Sequence, residues 1–257
     1  MNSLRRKEIY SNWPYIFWFL FYFTLLWFIF GANGKGLTIV TVAYAISFSI
    51  AVSPLAESLW RSVSGVRAIA TNAEKKRLLP LFEEVYRDAR RVDRRLSRNI
   101  SLYIQEDMDI NAFAFGRYTL ILTKGSIELL NDEQLKGLIA HEFGHFSHYD
   151  TVVLLLAVVG NLLMSIVMRI IYVITKTLLF IVRNKDTTFT IIFRILHGII
   201  SGLYKAINFM GDVILMSVSR EHEFMADAFA HRCGYGEALT DVYIRSIKYL
   251  SASREAL

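Results

Sequence analysis

Four stretches of the chain are too apolar and too long for the surface of a globular domain. Trp13–Phe30 runs for eighteen residues without a charged side chain, and Gly36–Ala56 for twenty-one. A helix crosses the hydrocarbon core with about 20 apolar residues, so Trp13–Phe30 and Leu37–Ala56 are expected to span a membrane, joined by the turn Gly31–Gly36. A secretory signal peptide would have a shorter apolar run followed by a small-residue cleavage site, and neither is present. Thr151–Val182 and Thr187–Val218, separated by Arg183-Asn-Lys-Asp186, form a second expected hairpin, interrupted by Arg169, Lys176, Arg194, Lys205 and Asp212. A buried soluble hairpin is the competing reading; more than sixty apolar-rich residues in two helices are hard to bury in a domain of this size.

Between the pairs lie 94 residues, Glu57–Asp150, of different texture. Helical spacing of Leu78, Leu81, Phe82, Val85, Tyr86, Ala89, Val92 and Leu96 predicts a helix over Ala68–Arg98, with Pro80 near its start. From Ile100 the period shortens. Ser101–Ile104, Ile110–Phe115 and Tyr118–Thr123 are β-branched and aromatic, with Gly116 between the last two, and predict a small antiparallel sheet. Asn131, with Gln134 three residues on, has the form of a helix N-cap. The fold class is therefore a mainly α membrane protein, four transmembrane helices plus an α+β domain with a small sheet.

Composition agrees: 54% of residues are apolar and 20% charged, against about 45–50% and about 25% in soluble domains. That excludes disorder and collagen-like repeats, and the single Cys233 excludes a disulfide scaffold. The net charge of +6 reads as attraction to anionic lipid rather than as nucleic-acid binding. Basic residues also set orientation: eleven lie between Glu57 and Asn99, and Arg5, Arg6 and Lys7 open the chain. Both termini and the central segment are thus expected on the cytoplasmic side.

His141-Glu142-Phe143-Gly144-His145 has the form H-E-x-x-H, inside the helix predicted from Asn131. Residues four apart share a helix face, so His141 and His145 can both present imidazole nitrogens to one zinc ion. Glu142 lies beside them, placed to take the proton of a water acidified by the metal. His148 reads as a capping histidine, since a catalytic zinc keeps one position open. The third ligand is expected from Ser219–Asp227. Glu223 and Asp227 are four apart, so Glu223 can ligate while Asp227 bonds the outer nitrogen of a ligating histidine, His141 by preference. Glu221 lacks a carboxylate four residues on, and His222 projects elsewhere on the helix; both are weaker choices.

H-E-F-G-H at 141–145, N-A-F-A-F-G at 111–116 and S-R-x-x-E-F-x-A-D at 219–227 together resemble the HtpX-type membrane zinc metalloproteases, relatives of the CAAX prenyl proteases. The resemblance implies a gluzincin-type endopeptidase with one zinc per chain, in a bacterial inner membrane. It implies removal of misfolded or damaged membrane proteins, a stress-response role, from the cytoplasmic side. It also implies that the strand Asn111, Ala112, Phe113, Ala114 holds substrate by strand addition. CAAX-type relatives use a late histidine to stabilise the oxyanion, which makes His231, and with it Arg220, candidates. Thirty residues follow Asp227, fewer than such proteins usually have. The expected organisation is a membrane anchor over 1–56, a catalytic segment over 57–150, a transmembrane hairpin over 151–218 and a third-ligand segment over 219–257. A CAAX-type processing protease, and a metal-regulated transport subunit, are the alternative functions.

One further pattern belongs to the hairpin. Arg194, His197, Ser201, Lys205, Asn208 and Asp212 follow one helix face, as do Asn161, Ser165, Arg169, Tyr172 and Lys176. Folding the hairpin about Lys185 places Asp212 near Asn161, and Arg169 near Lys205. A wet groove leading unfolded segments to the zinc, and ordinary packing with snorkelling side chains, both fit.

Overall fold

The computed structural model describes residues 13–182, 187–217 and 219–255. The basic residues Arg5, Arg6 and Lys7, the turn Arg183–Asp186 and the Asp212 side chain lie outside the described residues. In chain order the elements are α1 (Trp13–Ile29), α2 (Gly34–Ala51), α3 (Pro54–Val63), β1 (Val66–Ala68), α4 (Asn72–Val92), β2 (Ser101–Gln105), β3 (Ala112–Phe115) and β4 (Thr119–Thr123). There follow α5 (Lys124–Leu129), α6 (Asp132–Ser147), α7 (Asp150–Val182), α8 (Thr187–Ser217), α9 (Ser219–Arg232) and α10 (Gly236–Glu255). The chain divides into two compact units, one of residues 13–48 and 156–219, the other of residues 49–155 and 220–255.

The first unit is helical. Gly34–Ala51, Asp150–Val182 and the Thr190–Gly211 part of α8 are long and apolar enough to cross a membrane. The remaining expected span, α1, is as apolar but has 17 residues, at the short limit of the range. Trp18, Tyr22, Leu26, Val40, Tyr44, Met164, Met168 and Ile207 form its buried core. The polar stripes of the hairpin bond to one another and to α1. Ser165 Oγ donates to Asn208 Oδ1 at 2.8 Å, Tyr22 Oη reaches Asn161 Oδ1 and the Ile207 carbonyl at 3.0 Å each, and Thr175 Oγ1 lies 3.1 Å from His197 Nδ1. These are the bonds of interhelical packing, while Arg169, Lys176, Arg194 and Lys205 stay exposed.

The expected second span ends early. Ile50 accepts from the Ser53 hydroxyl at 2.6 Å, and Ser53 Oγ in turn accepts the Ala56 N–H at 3.2 Å, so Ser53 closes α2 and caps α3. Pro54 follows at the first helical position, where its missing N–H costs nothing.

In the second unit the helix predicted from Ala68 begins instead at Asn72, because Thr71 and Glu74 form a reciprocal capping box. Val66–Ala68 is released to form a short edge strand. Pro80 lies inside α4 rather than at its start. It sits on the exposed face, where the carbonyl it leaves without a partner can turn to water.

The sheet has the order β1-β2-β4-β3, with β2 and β4 parallel and the outer pairs antiparallel. It is therefore mixed, and not the antiparallel sheet the strand pattern predicts. The β3–β4 hairpin turns at Gly116, with φ +61°, and inserts β4 beside β2. Apolar alternation marks strands but carries no information about that insertion. Ile104, Leu120 and Leu122 join Leu78, Val85, Leu135, Ile139, Phe143 and Phe229 in one core, so α4, α6 and α9 are all anchored on it.

Asp93 ends α4 and reaches the far end of α6, accepting from Ser147 Oγ at 2.6 Å and from Arg95. Burial opposes its charge, but these bonds outweigh that and hold its carboxyl down at about 2, below the ordinary 3.8. Its stabilising contribution, about 1 kcal/mol after solvent screening, is complete above roughly pH 5 and is lost as pH falls through the native value. Asp93→Asn should therefore be less stable than the parent at pH 7, and the gap should shrink in denaturant titrations repeated below pH 3.

Candidate metal centre

Helix α6 begins at Asn131, whose side chain accepts the Gln134 N–H at 2.9 Å while Gln134 reaches back to the Asn131 N–H at 3.1 Å. It carries the H-E-x-x-H residues into the core: His141, Glu142, Phe143 and Gly144 are all buried. Two glycines fix its neighbours. A Cβ at Gly137 would stand 2.6 Å from the Leu239 nitrogen of α10, and one at Gly144 would stand 2.6 Å from the Ala226 Cα of α9. Backbone thus meets backbone where α6 crosses α9.

That crossing places Glu223 opposite the histidines. Glu223 Oε2 lies 3.2 Å from His141 Nε2, and Oε1 lies 3.7 Å from His145 Nε2. The other ring nitrogens face carboxylates: His141 Nδ1 is 2.8 Å from Asp227 Oδ1, and His145 Nδ1 is 3.2 Å from Asp150 Oδ2. In the neutral ring a carboxylate at Nδ1 keeps the remaining proton there, so once each imidazolium gives up its other proton both Nε2 lone pairs face one point. One donor atom from each of His141, His145 and Glu223 falls within 4.8 Å of the others. Tetrahedral zinc with bonds of about 2.0–2.1 Å needs donors about 3.4 Å apart. The donor set and spacing fit zinc with small side-chain adjustments.

Electrostatics match this geometry. Burial disfavours a charge on His141, yet the Asp227 and Glu223 carboxylates outweigh it and push the imidazole up to about 10. His145 is raised likewise, against burial, by Asp150. Glu223 is lowered, chiefly through its bond with His141. Asp227 is lowered despite burial, by His141 and by Tyr243, whose hydroxyl donates to Oδ1 at 2.7 Å. Glu142 moves the other way: only 4% exposed, it is raised by burial.

The Ala114 N–H points at the Glu142 carboxylate. Ala114 belongs to β3, an edge of the sheet with a partner on one side only. Thr123 bonds the Asn111 carbonyl, so alternation turns Phe113 and Phe115 toward β4 and leaves the backbone of Ala112 and Ala114 on the open edge. Asn111 Oδ1 accepts the Ala112 N–H at 2.9 Å. The expected substrate strand and the expected base are therefore neighbours. His231 is exposed beside Gly236, and Arg220 is exposed in the first turn of α9. Among the described residues, neither is joined to the His141–His145–Glu223 group by a hydrogen bond or ion pair. His148 is the C-cap of α6, its N–H donating to the Gly144 carbonyl at 3.1 Å.

Asp150 and Glu57 were not singled out in the sequence, and His222 was named there only to be set aside. Asp150 is the partner of His145, hidden because it opens an apolar helix; a carboxylate at that boundary was the available signal. His222, set aside as a ligand, is buried with Nε2 3.6 Å from Asp150 Oδ1, and burial lowers its pKa. Glu57, 1% exposed, accepts from the Arg117 N–H at 2.6 Å, the Tyr118 N–H at 3.3 Å and Thr119 Oγ1 at 2.8 Å, clamping the β3–β4 turn.

The model of peptidase family M48 matches residues 73–247, more than half of the chain. The chain belongs to peptidase family M48. Among the curated relatives of this M48 chain, a protein named Protease HtpX homolog from Bacteroides fragilis (strain YCH46) is 34% identical over 135 residues, 49% of this chain and 40% of that one. One of the same name from Sulfurovum sp. (strain NBC37-1) is 32% identical over 158 residues, 57% of this chain and 52% of that one. The chain thus spans about half the length of the curated relatives it matches. The M48 match takes in α4 from residue 73, strands β2, β3 and β4, α6 and Glu223, so it covers every residue of the candidate centre.

Two substitutions test the geometry. Gly144→Ala should force α6 and α9 apart, costing about 1–3 kcal/mol, and should lower zinc stoichiometry after dialysis. Asp150→Asn should keep the fold but weaken zinc affinity by about 10–100-fold, read by competition with a chromogenic chelator.

Proposed function

We propose that the chain is a zinc-dependent endopeptidase of the bacterial cytoplasmic membrane, with its active site on the cytoplasmic side. The convergence of His141 Nε2 and His145 Nε2 on Glu223, with a carboxylate behind each ring, carries this reading. His141, His145 and Glu223 would hold the metal, with Asp227 and Asp150 fixing the rings. When bound, zinc supplies Lewis-acid polarisation of the scissile carbonyl and acidification of water.

The chain's own residues do the rest. A peptide laid along the open edge of β3 donates its N–H groups to the outward carbonyls of Ala112 and Ala114, whose own N–H groups serve Asn111 Oδ1 and Glu142, and passes beside Glu142. The Glu142 carboxylate takes a proton from the attacking water and passes it to the departing amide nitrogen. Its raised pKa suits a group that must hold that proton between the two steps. Membrane helices on the same chain support substrates drawn from unfolded or damaged membrane proteins. The excess of basic residues between Glu57 and Asn99 supports the cytoplasmic placement.

The deciding experiment pairs metal analysis with casein cleavage. Glu142→Gln should retain one zinc per chain and lose about 10²–10⁴-fold in kcat, and chelation of the parent should abolish cleavage until zinc is restored. A variant that cleaves normally, or a parent that cleaves without metal, would refute the mechanism.

A further inference from the structure

Helix α3 shows two faces of opposite character, and only one is used by the protein. On the inner face Glu57 clamps the β3–β4 turn, Trp60 stacks on Phe115 with centroids 3.9 Å apart, and Arg61 bonds Thr119 Oγ1 at 2.6 Å and lies 4.4 Å from the Tyr103 ring centre. On the outer face Leu55, Leu59 and Val63 recur every four residues and are 69%, 60% and 88% exposed. Such a row normally faces a core. Here no described residue covers it.

What covers it follows from the chain before it. The last turn of α2, Ser49–Ala51, belongs to the same compact unit as α3 and ends a helix apolar enough to cross a membrane. Only Val52 and Ser53 separate the two helices, and Ser53 is bonded to both: to the Ile50 carbonyl behind it and to the Ala56 N–H ahead. Ile50 is itself 60% exposed, so the apolar surface continues from the end of the span onto α3. A row of this kind, leaving the end of a span through a hydrogen-bonded corner, lies within reach of the boundary between headgroups and acyl chains, where amphipathic helices bury their apolar face.

We infer that α3 is an interfacial helix whose outer face, Leu55, Leu59 and Val63, is seated in the lipid bilayer. Its inner face then fixes the height of the sheet above the membrane, because Glu57 and Trp60 grip the end of β3. The edge strand beside Glu142 is held at the bilayer surface, where a segment emerging from lipid first offers its backbone.

The test needs no enzymatic activity, so its outcome is separate from that of the proposed function. Single cysteines at Leu55, Leu59 and Val63 are introduced into the full chain in a Cys233→Ala background, spin-labelled and reconstituted in vesicles of phosphatidylethanolamine and phosphatidylglycerol. Ile46, exposed on α2, gives the lipid reference and Glu128, exposed on α5, the aqueous one. All three labels should collide more with oxygen than with a water-soluble nickel complex, as Ile46 does. Collision with nickel matching that of Glu128 would overturn the inference. Shielding from both reagents would overturn it too, by showing a protein partner on this face.

Discussion

The close crossing of α6 and α9 is the contact on which the candidate centre depends. Gly144 and Ala226 bring the two backbones to a distance that no larger pair would allow. The histidines come from one helix and the glutamate from another, separated in sequence by about eighty residues that include the long apolar helices α7 and α8. A tetrahedral site tolerates misplacement of only a few tenths of an ångström. Small residues at the crossing meet that demand, because a backbone contact cannot change rotamer. The third position of the H-E-x-x-H spacer is thus fixed by packing, while the flanking residues are fixed by chemistry.

Much of the site was legible because it is written at helical spacing. His141 with His145, and Glu223 with Asp227, each lie four apart, and the partner chosen for Asp227 is the one it contacts. Asp150 was not legible in that way. It stands five residues beyond His145 and past a reversal at Tyr149, whose φ of 59° is the left-handed conformation that ends the helix. Periodicity stops at such a turn, so nothing in the spacing joins the two residues.

The fold was legible to the same degree and for the same reason. Apolar runs marked the long apolar helices, three of which among the described residues are long enough to cross a membrane, and alternation marked β2, β3 and β4. The pairing of β2 with β4, the three-residue strand β1 and the break at Ser53 depend on contacts between segments rather than on a period within one. Glu57 is the plainest case: a charge directly after an apolar run reads as the start of a solvated segment. It is instead buried among three donors of a distant turn.

The carboxylates around the two imidazoles also decide what metal loading does to the charge of the site. Without metal, His141 holds its proton to about pH 10, and His145 binds one more tightly than a free histidine does. Two imidazolium charges and one divalent ion carry the same total, so loading exchanges protons for zinc with little net change in local charge. The surrounding carboxylates are therefore compensated in both states. A divalent ion held by His141, His145 and Glu223 would have to compete with the protons of the two imidazoles.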